Sequence, residues 1–157
     1  MRKGFVYCLV LFIASSCELL APEPGVDSKM AIDNSTRINL PAQNKSASTE
    51  WTYCEPITFN LEKYQKIDSI IFVPNVRSQS KEMKCIAELY DFQNNIAIPN
   101  SRVESVVQYT LHLVRSNNLR MSFPNTNNNI GIRFRSSDTG HYVEVGVNSH
   151  VLIYHGN

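Results

Sequence analysis

Nowhere does the chain carry a Gly-rich phosphate loop, a Gly-x-Ser-x-Gly elbow, a His-Glu-x-x-His pair or a Cys-x-x-Cys clip. Those absences remove the motif-borne routes to nucleotide binding, serine hydrolysis, zinc peptidase chemistry and dithiol redox exchange. Charge is scarce as well. Fifteen Lys and Arg stand against 14 Asp and Glu, a formal net charge of +1 with 18% of residues charged. Such a balance offers no basic footprint for nucleic acid and no acidic tail. Beyond the first residues there is no long apolar pattern of period 3.6, although 61–67 has room for one helical turn. Tryptophan occurs once, at Trp51, and cysteine four times.

What the chain does have begins at once. Arg2 and Lys3 precede nine apolar residues, 5–13, which give way to Ala14, Ser15 and Ser16. That order, positive then apolar then small, is the order of a secretory signal peptide, and the run is too short to span a bilayer as a helix. The segment "ASSC" that ends it resembles the lipobox of bacterial lipoproteins, although a leucine is commoner than Ala14 at that place. The resemblance implies cleavage before Cys17, acyl groups on Cys17 and attachment to a membrane, each buried methylene adding about 0.8 kcal/mol. Ala14-x-Ser16 fits an ordinary signal-peptidase site at the same bond. Cysteine arithmetic favours lipidation, because cleavage leaves Cys17, Cys54 and Cys85, an odd set in an oxidising compartment. With Cys17 acylated, Cys54 and Cys85 are the thiols left to form a disulfide pinning the entry segment to the domain. The alternative is two separate buried thiols.

Residues 18–50 turn to Pro, Ser, Asn, Ala and Lys, with isolated apolar residues such as Met30, Ile32, Ile38 and Leu40. They read as a flexible spacer. The asparagine sequons at Asn34 and Asn44 read as part of that spacer. The expected division is therefore a signal peptide at 1–16, a lipidated N-terminus and linker at 17–50, and a domain at 51–157.

From Trp51 onward short runs rich in β-branched and aromatic residues alternate with turn signals, namely 69–77, 84–91, 109–116, 129–137, 141–147 and 150–155. Ile130, Ile132 and Phe134 fall on one face of their run with Gly131, Arg133 and Arg135 on the other. Val143, Val145 and Val147 oppose Tyr142, Glu144 and Gly146. Many short antiparallel strands at such spacing predict an all-β fold, an antiparallel β-sandwich or barrel. The succession "AELYDFQNNIAIPNSRVES", "LHLVRSNNLRMSF" and "GIRFRSSDTGHYVEVGVNSHVLIY" resembles the jelly-roll domains of secreted bacterial proteins and of carbohydrate-binding modules. That resemblance implies a jelly-roll sandwich offering a concave sheet or loop cluster to glycan, with exposed aromatics.

Candidate chemistry is thin. His112, His141, His150 and His155 lie on or beside predicted strands without metal-ligand spacing, and neither a metal nor a cofactor is expected. Arg133, Arg135, Glu144, Glu88 and His112 share one outward face if their strands are neighbours, either as structural ion pairs or as a ligand site. Arg133, His112 and Tyr142 are the residues nameable for catalysis, through the resemblance to jelly-roll lyases; no matching motif accompanies them, and the chain reads as a non-enzyme. Trp51, Tyr142 and Tyr154, with Tyr53, Tyr90 and Tyr109, offer rings that stack on sugar C–H faces or, alternatively, cap the core edge. The tentative ligand-binding set is Trp51, Tyr142, Tyr154, Arg133, Arg135 and Glu144.

These readings converge on a cell-envelope lipoprotein, anchored to the outer membrane, whose sandwich binds a glycan or, alternatively, docks an envelope protein. Replacing Cys17→Ser is expected to release the protein from the membrane fraction. A variant that stays membrane-bound, or a mature chain without added lipid mass, contradicts the anchor.

Overall fold

The structure, a computed structural model, describes residues 34–156. The signal peptide, Cys17 and the spacer as far as residue 33 lie outside the described residues. In chain order the strands are β1 (Ser35–Asn39), β2 (Asn44–Ser46), β3 (Thr52–Tyr53), β4 (Ile57–Phe59), β5 (Ile67–Ser78), β6 (Cys85–Asp91), β7 (Ile96–Ala97), β8 (Val103–Ser105), β9 (His112–Leu113), β10 (Asn128–Ser136) and β11 (Val143–His155). The one helical turn among the described residues, Leu61–Lys63, is 3-10 in type, and the Asn60 side chain caps it by accepting from Glu62 N–H.

All pairings among the named strands are antiparallel, in two sheets. In sheet one, β11 lies between β5 and the interrupted edge β1/β2, and β9 closes the far side of β5. In sheet two, β10 lies between β6 and the interrupted edge β3/β4, and β7 and β8 pair with the far side of β6. When each interrupted edge is taken as one lane, consecutive lanes alternate between the sheets except at β6 and the β7/β8 lane, which are neighbours in sheet two, and this is the double Greek-key order of a jelly roll. The fold is all-β, an antiparallel sandwich.

The core follows from period-two alternation. On β10, Ile130, Ile132 and Phe134 are buried, and they meet Leu89 and Ala87 of β6 in the same layer. Val143, Val145, Val151 and Ile153 of β11 join Ile70, Phe72 and Val76 of β5 to complete it from sheet one. Each such side chain contributes about 1.5–3 kcal/mol on burial.

The irregularities have local causes. Pro74 sits inside β5, a strand paired on both sides, and its missing N–H falls where the β11 ladder skips from Gly146 to His150. Ser149 repairs the gap, since its hydroxyl accepts from Asn75 N–H at 3.0 Å and donates to Gly146 O at 2.8 Å. Sequence alternation breaks there as well, so the two runs expected at 141–147 and 150–155 form one bulged strand. In sheet two, Tyr53 pairs with Arg133 and Ile57 with Ile130, so the β3/β4 lane holds one extra residue against β10. Gly131 lies opposite that bulge, where a Cβ would meet Phe92 Cε2 at 2.8 Å and Pro56 Cα at 3.2 Å.

Two expectations are corrected. Strand pairing begins at Ser35, inside the stretch read as linker. Leu40 and Ala42 are buried and Ile38 packs on the core, a period-two set hidden among polar neighbours. Cys54 and Cys85 are free, buried thiols. Cys54 N–H donates to Ile132 O on one flank of β10, whereas Cys85 stands opposite Ser136 on the other flank. Four residues at ~3.3 Å and two strand spacings of ~4.8 Å separate them, far beyond the ~7 Å between α-carbons that a disulfide tolerates. Burial pushes the Cys54 thiol up to about 11. Burial, and next the charge a Cys54 thiolate would carry, push the Cys85 thiol up to about 12, so neither is a ready nucleophile at neutral pH. Thiol alkylation of the unreduced protein, mapped by peptide mass, is expected to leave both cysteines unmodified in the native state and to modify both in denaturant. A Cys54–Cys85 crosslinked peptide contradicts the structure.

Candidate functional site

The pleat that sends Ile132 and Phe134 inward sends Arg133 and Arg135 to the outer face of sheet two, between β3 and β6. Outward positions on β6 are Ile86, Glu88 and Tyr90, and Phe92 follows at the strand end. On the other flank stand Tyr53 of β3 and Trp51 just before it. The face is therefore aromatic and cationic at once. Tyr53, Tyr90 and Phe92 form an edge-to-face trio with ring centroids 5.2–5.8 Å apart. Gly131 leaves room for the Phe92 ring within it. Trp51 lies under both arginines, its ring centre 4.4 Å from the Arg133 guanidinium carbon and 4.8 Å from that of Arg135. Arg133 also lies 4.5 Å from the Tyr90 ring centre.

Tyr53 is the accessible ring of the trio, 44% exposed, while Tyr90 is buried and its hydroxyl bonds Asn95. Burial, and next the neighbouring Tyr53, push the Tyr90 hydroxyl above the ordinary phenol range. Beside Tyr53 a cleft of about 440 Å³ is lined by Pro41, Gln43, Asn44, Glu55 and Val147 together with Ala42 and Cys54. It lies at the seam where the interrupted edges of the two sheets come together. Its size suits a small ligand, and its lining mixes one aromatic ring with amide and carboxylate groups.

The two arginines have unequal partners. Register sets Arg133 opposite Glu88, whose Oε1 accepts from Arg133 Nε at 2.6 Å and also from Nη2. Glu88 is buried, so this is a desolvated pair. Arg135 stands opposite Ile86. Its Nη1 donates to Thr49 O at 3.1 Å, and its Nε is buried without a partner. An orphaned buried donor costs about 1–3 kcal/mol.

The residues expected to share one site divide between the two sheets. Trp51, Arg133, Arg135 and Glu88 come together on sheet two. Glu144 lies on the outer face of sheet one, because β11 belongs to that sheet. Its Oε2 accepts from Arg77 Nε at 2.8 Å and lies 3.6 Å from Lys45 Nζ. Tyr142 covers this cluster, 5.2 Å from Lys45 Nζ, and Tyr154 is at the opposite end of β11 near Arg115. His112 is at the β9 edge, where its Nε2 meets the Ser105 hydroxyl at 2.9 Å and its Nδ1 is buried without a partner. A serine–histidine contact is half of a nucleophilic arrangement. Ser105 is buried, however, its hydroxyl accepts from Val107 N–H, and no carboxylate meets Nδ1 among the described residues. The three catalytic candidates, Arg133, His112 and Tyr142, do not converge. The sequence-derived site set omits Tyr53, Tyr90 and Phe92; the spacing of 90 and 92 on one strand face was the available signal.

A second hollow, of about 510 Å³, lies by the 3-10 turn between Leu61, Tyr64, Ile67, Met121 and Phe123. It brings no nucleophile and base together.

Burial makes the Arg133–Glu88 pair a contributor to stability rather than a surface ion pair. Stranding either charge is expected to cost about 3 kcal/mol, roughly 10 °C in melting temperature for a domain of this size. The double variant Glu88→Leu/Arg133→Met is expected to recover most of that loss. Thermal melts of the two single variants and the double variant check this, and single variants within 2 °C of the parent contradict it.

No family model and no curated protein matches the chain. Among solved structures it is similar to one titled "Structure of infectious bursal disease virus Gx strain", at 13% identity and a TM-score of 0.42. The match covers 87% of this chain and 37% of that one.

Proposed function

We propose that the protein is a lipid-anchored cell-envelope protein of the outer membrane whose sandwich binds a glycan without transforming it. The ligand sits on the outer face of sheet two, at Tyr53 and the adjoining cleft. The anchor rests on the residues up to Cys17 alone. The binding site rests on one observation: Tyr53 is exposed, braced by Tyr90 and Phe92, and opens onto a cleft bearing Gln43, Asn44 and Glu55. A pyranose offers an apolar C–H face for such a ring and hydroxyls for such amides and carboxylates. Trp51 has a supporting part in this reading, because the two guanidinium groups occupy its ring and hold it as their floor.

A specific surface feature favours a second reading, the docking of an envelope protein. Val106, Val107, Tyr109 and Leu113 are all exposed beside the β9 edge. Tyr109, 67% exposed, holds φ of 63°, strained for a bulky residue, and its carbonyl is fixed by Arg77 Nη1 at 2.8 Å.

The full chain in detergent is expected to bind members of a glycan array. Tyr53→Ala is expected to lower that affinity at least tenfold, about 1.4 kcal/mol, in a protein that still folds and melts a few degrees below the parent, because the half-exposed ring also gives up two edge-to-face contacts. Tyr142→Ala, on the other sheet, serves as the comparison. Absence of glycan binding, together with capture of a membrane protein that Tyr109→Ser and Leu113→Ser abolish, contradicts the glycan reading in favour of docking.

A further inference from the structure

We infer that the ligand of this face is an acidic sugar whose carboxylate pairs with Arg135, an inference that rests on the glycan reading and narrows it. β10 presents two guanidinium groups on one face, and the register gives them different company. Opposite Arg133 is Glu88, which takes Nε and Nη2 together. Opposite Arg135 is Ile86, so the corresponding edge of that guanidinium meets no carboxylate. Nη1 is held by Thr49 O, Nε has no partner, and Arg135 makes no ion pair among the described residues.

The Nη1/Nη2 end of an arginine is also a two-pronged donor that matches the two oxygens of a carboxylate. A ligand carboxylate drawn onto the Nη end of Arg135 supplies the acid that this guanidinium lacks, while its Nε, enclosed by protein, stays out of reach. Trp51, 4.8 Å from the Arg135 guanidinium carbon, holds the group flat, so less ordering remains to be done on binding.

Charge on the face points the same way. Arg133 is neutralised by Glu88, and Glu104 is shared between Lys84 and Arg102. Among these side chains and Arg135, four cations stand against two carboxylates, and Glu55 of the cleft beside Tyr53 adds a third acid. Tyr53 lies opposite Arg133, and Arg135 is two residues further along, about 7 Å. One pyranose unit and its carboxylate span that gap, with the ring on Tyr53 and the charge at Arg135.

Calorimetry on the full chain tests this with two matched pairs: trigalacturonate against its methyl ester, and 3′-sialyllactose against lactose. At least one acid is expected to bind tenfold or more tightly than its neutral counterpart, with the preference weakening as salt rises. Arg135→Gln is expected to bring the acid-to-neutral ratio close to one, and Arg135→Lys to restore it only in part, since lysine keeps the charge and loses the fork. Melting temperatures of both variants establish that they fold. Equal affinity for acid and neutral sugar, or a ratio that survives Arg135→Gln, overturns the acidic-sugar inference and leaves the glycan reading standing. Failure of all four sugars, with poly-glutamate bound through Arg135 instead, overturns both.

Discussion

A one-residue slip of β10 against β6 would turn Phe134 to water and drive Arg133 and Arg135 into the core. Because the side-chain period of a strand is two, register and face are one decision. Ile130, Ile132 and Phe134 settle it, for they fit only the layer that holds Leu89 and Ala87. The outer face then follows without further choice. Arg133 comes opposite Glu88, Arg135 opposite Ile86, and Tyr53 opposite Arg133 from the other side.

The two sheets use a common device on their outer surfaces. Each carries one buried carboxylate gripped by an arginine on the neighbouring strand, Glu88 by Arg133 and Glu144 by Arg77. Each has an aromatic ring close to the guanidinium, Trp51 or Tyr90 in one case and Tyr142 in the other. On sheet one Lys45 completes the cluster around Glu144. On sheet two Arg135 has no acid of its own, and that asymmetry distinguishes the face beside Tyr53 from its counterpart.

The central strands were legible because burial on one side and water on the other writes an alternation into them. On β10, and on β11 as far as Val145, the alternation gives the core-facing residues correctly; Val147, expected on the same face, is 53% exposed because the bulge between Gly146 and His150 breaks the period there. The edges were not. The β1/β2 lane and its connection pack only Ile38, Leu40 and Ala42 on the core, among polar residues, and β9 pairs over two residues where a run of eight is expected. Edge lanes make half the contacts, so their sequences are free to look like loops. The partition of Arg133 and Glu144 is illegible for a topological reason: β10 and β11 are consecutive in the chain, yet the connection between them crosses from sheet two to sheet one. The disulfide expectation failed likewise, since cysteine counting knows nothing of register.

The central claim is that the alternation of β10 creates a ligand face on sheet two with Arg135 at its unpaired end. It is tested most directly by recording the arginine Nε–Hε and backbone amide resonances of the full chain in detergent during titration with an acidic oligosaccharide. The account predicts a large shift of the Arg135 Nε–Hε signal, a small one for Arg133 because Glu88 already holds it, and amide shifts confined to β3, β10 and β6. Shifts centred on Lys45, Tyr142 and Glu144, or on residues 106–113, would contradict it.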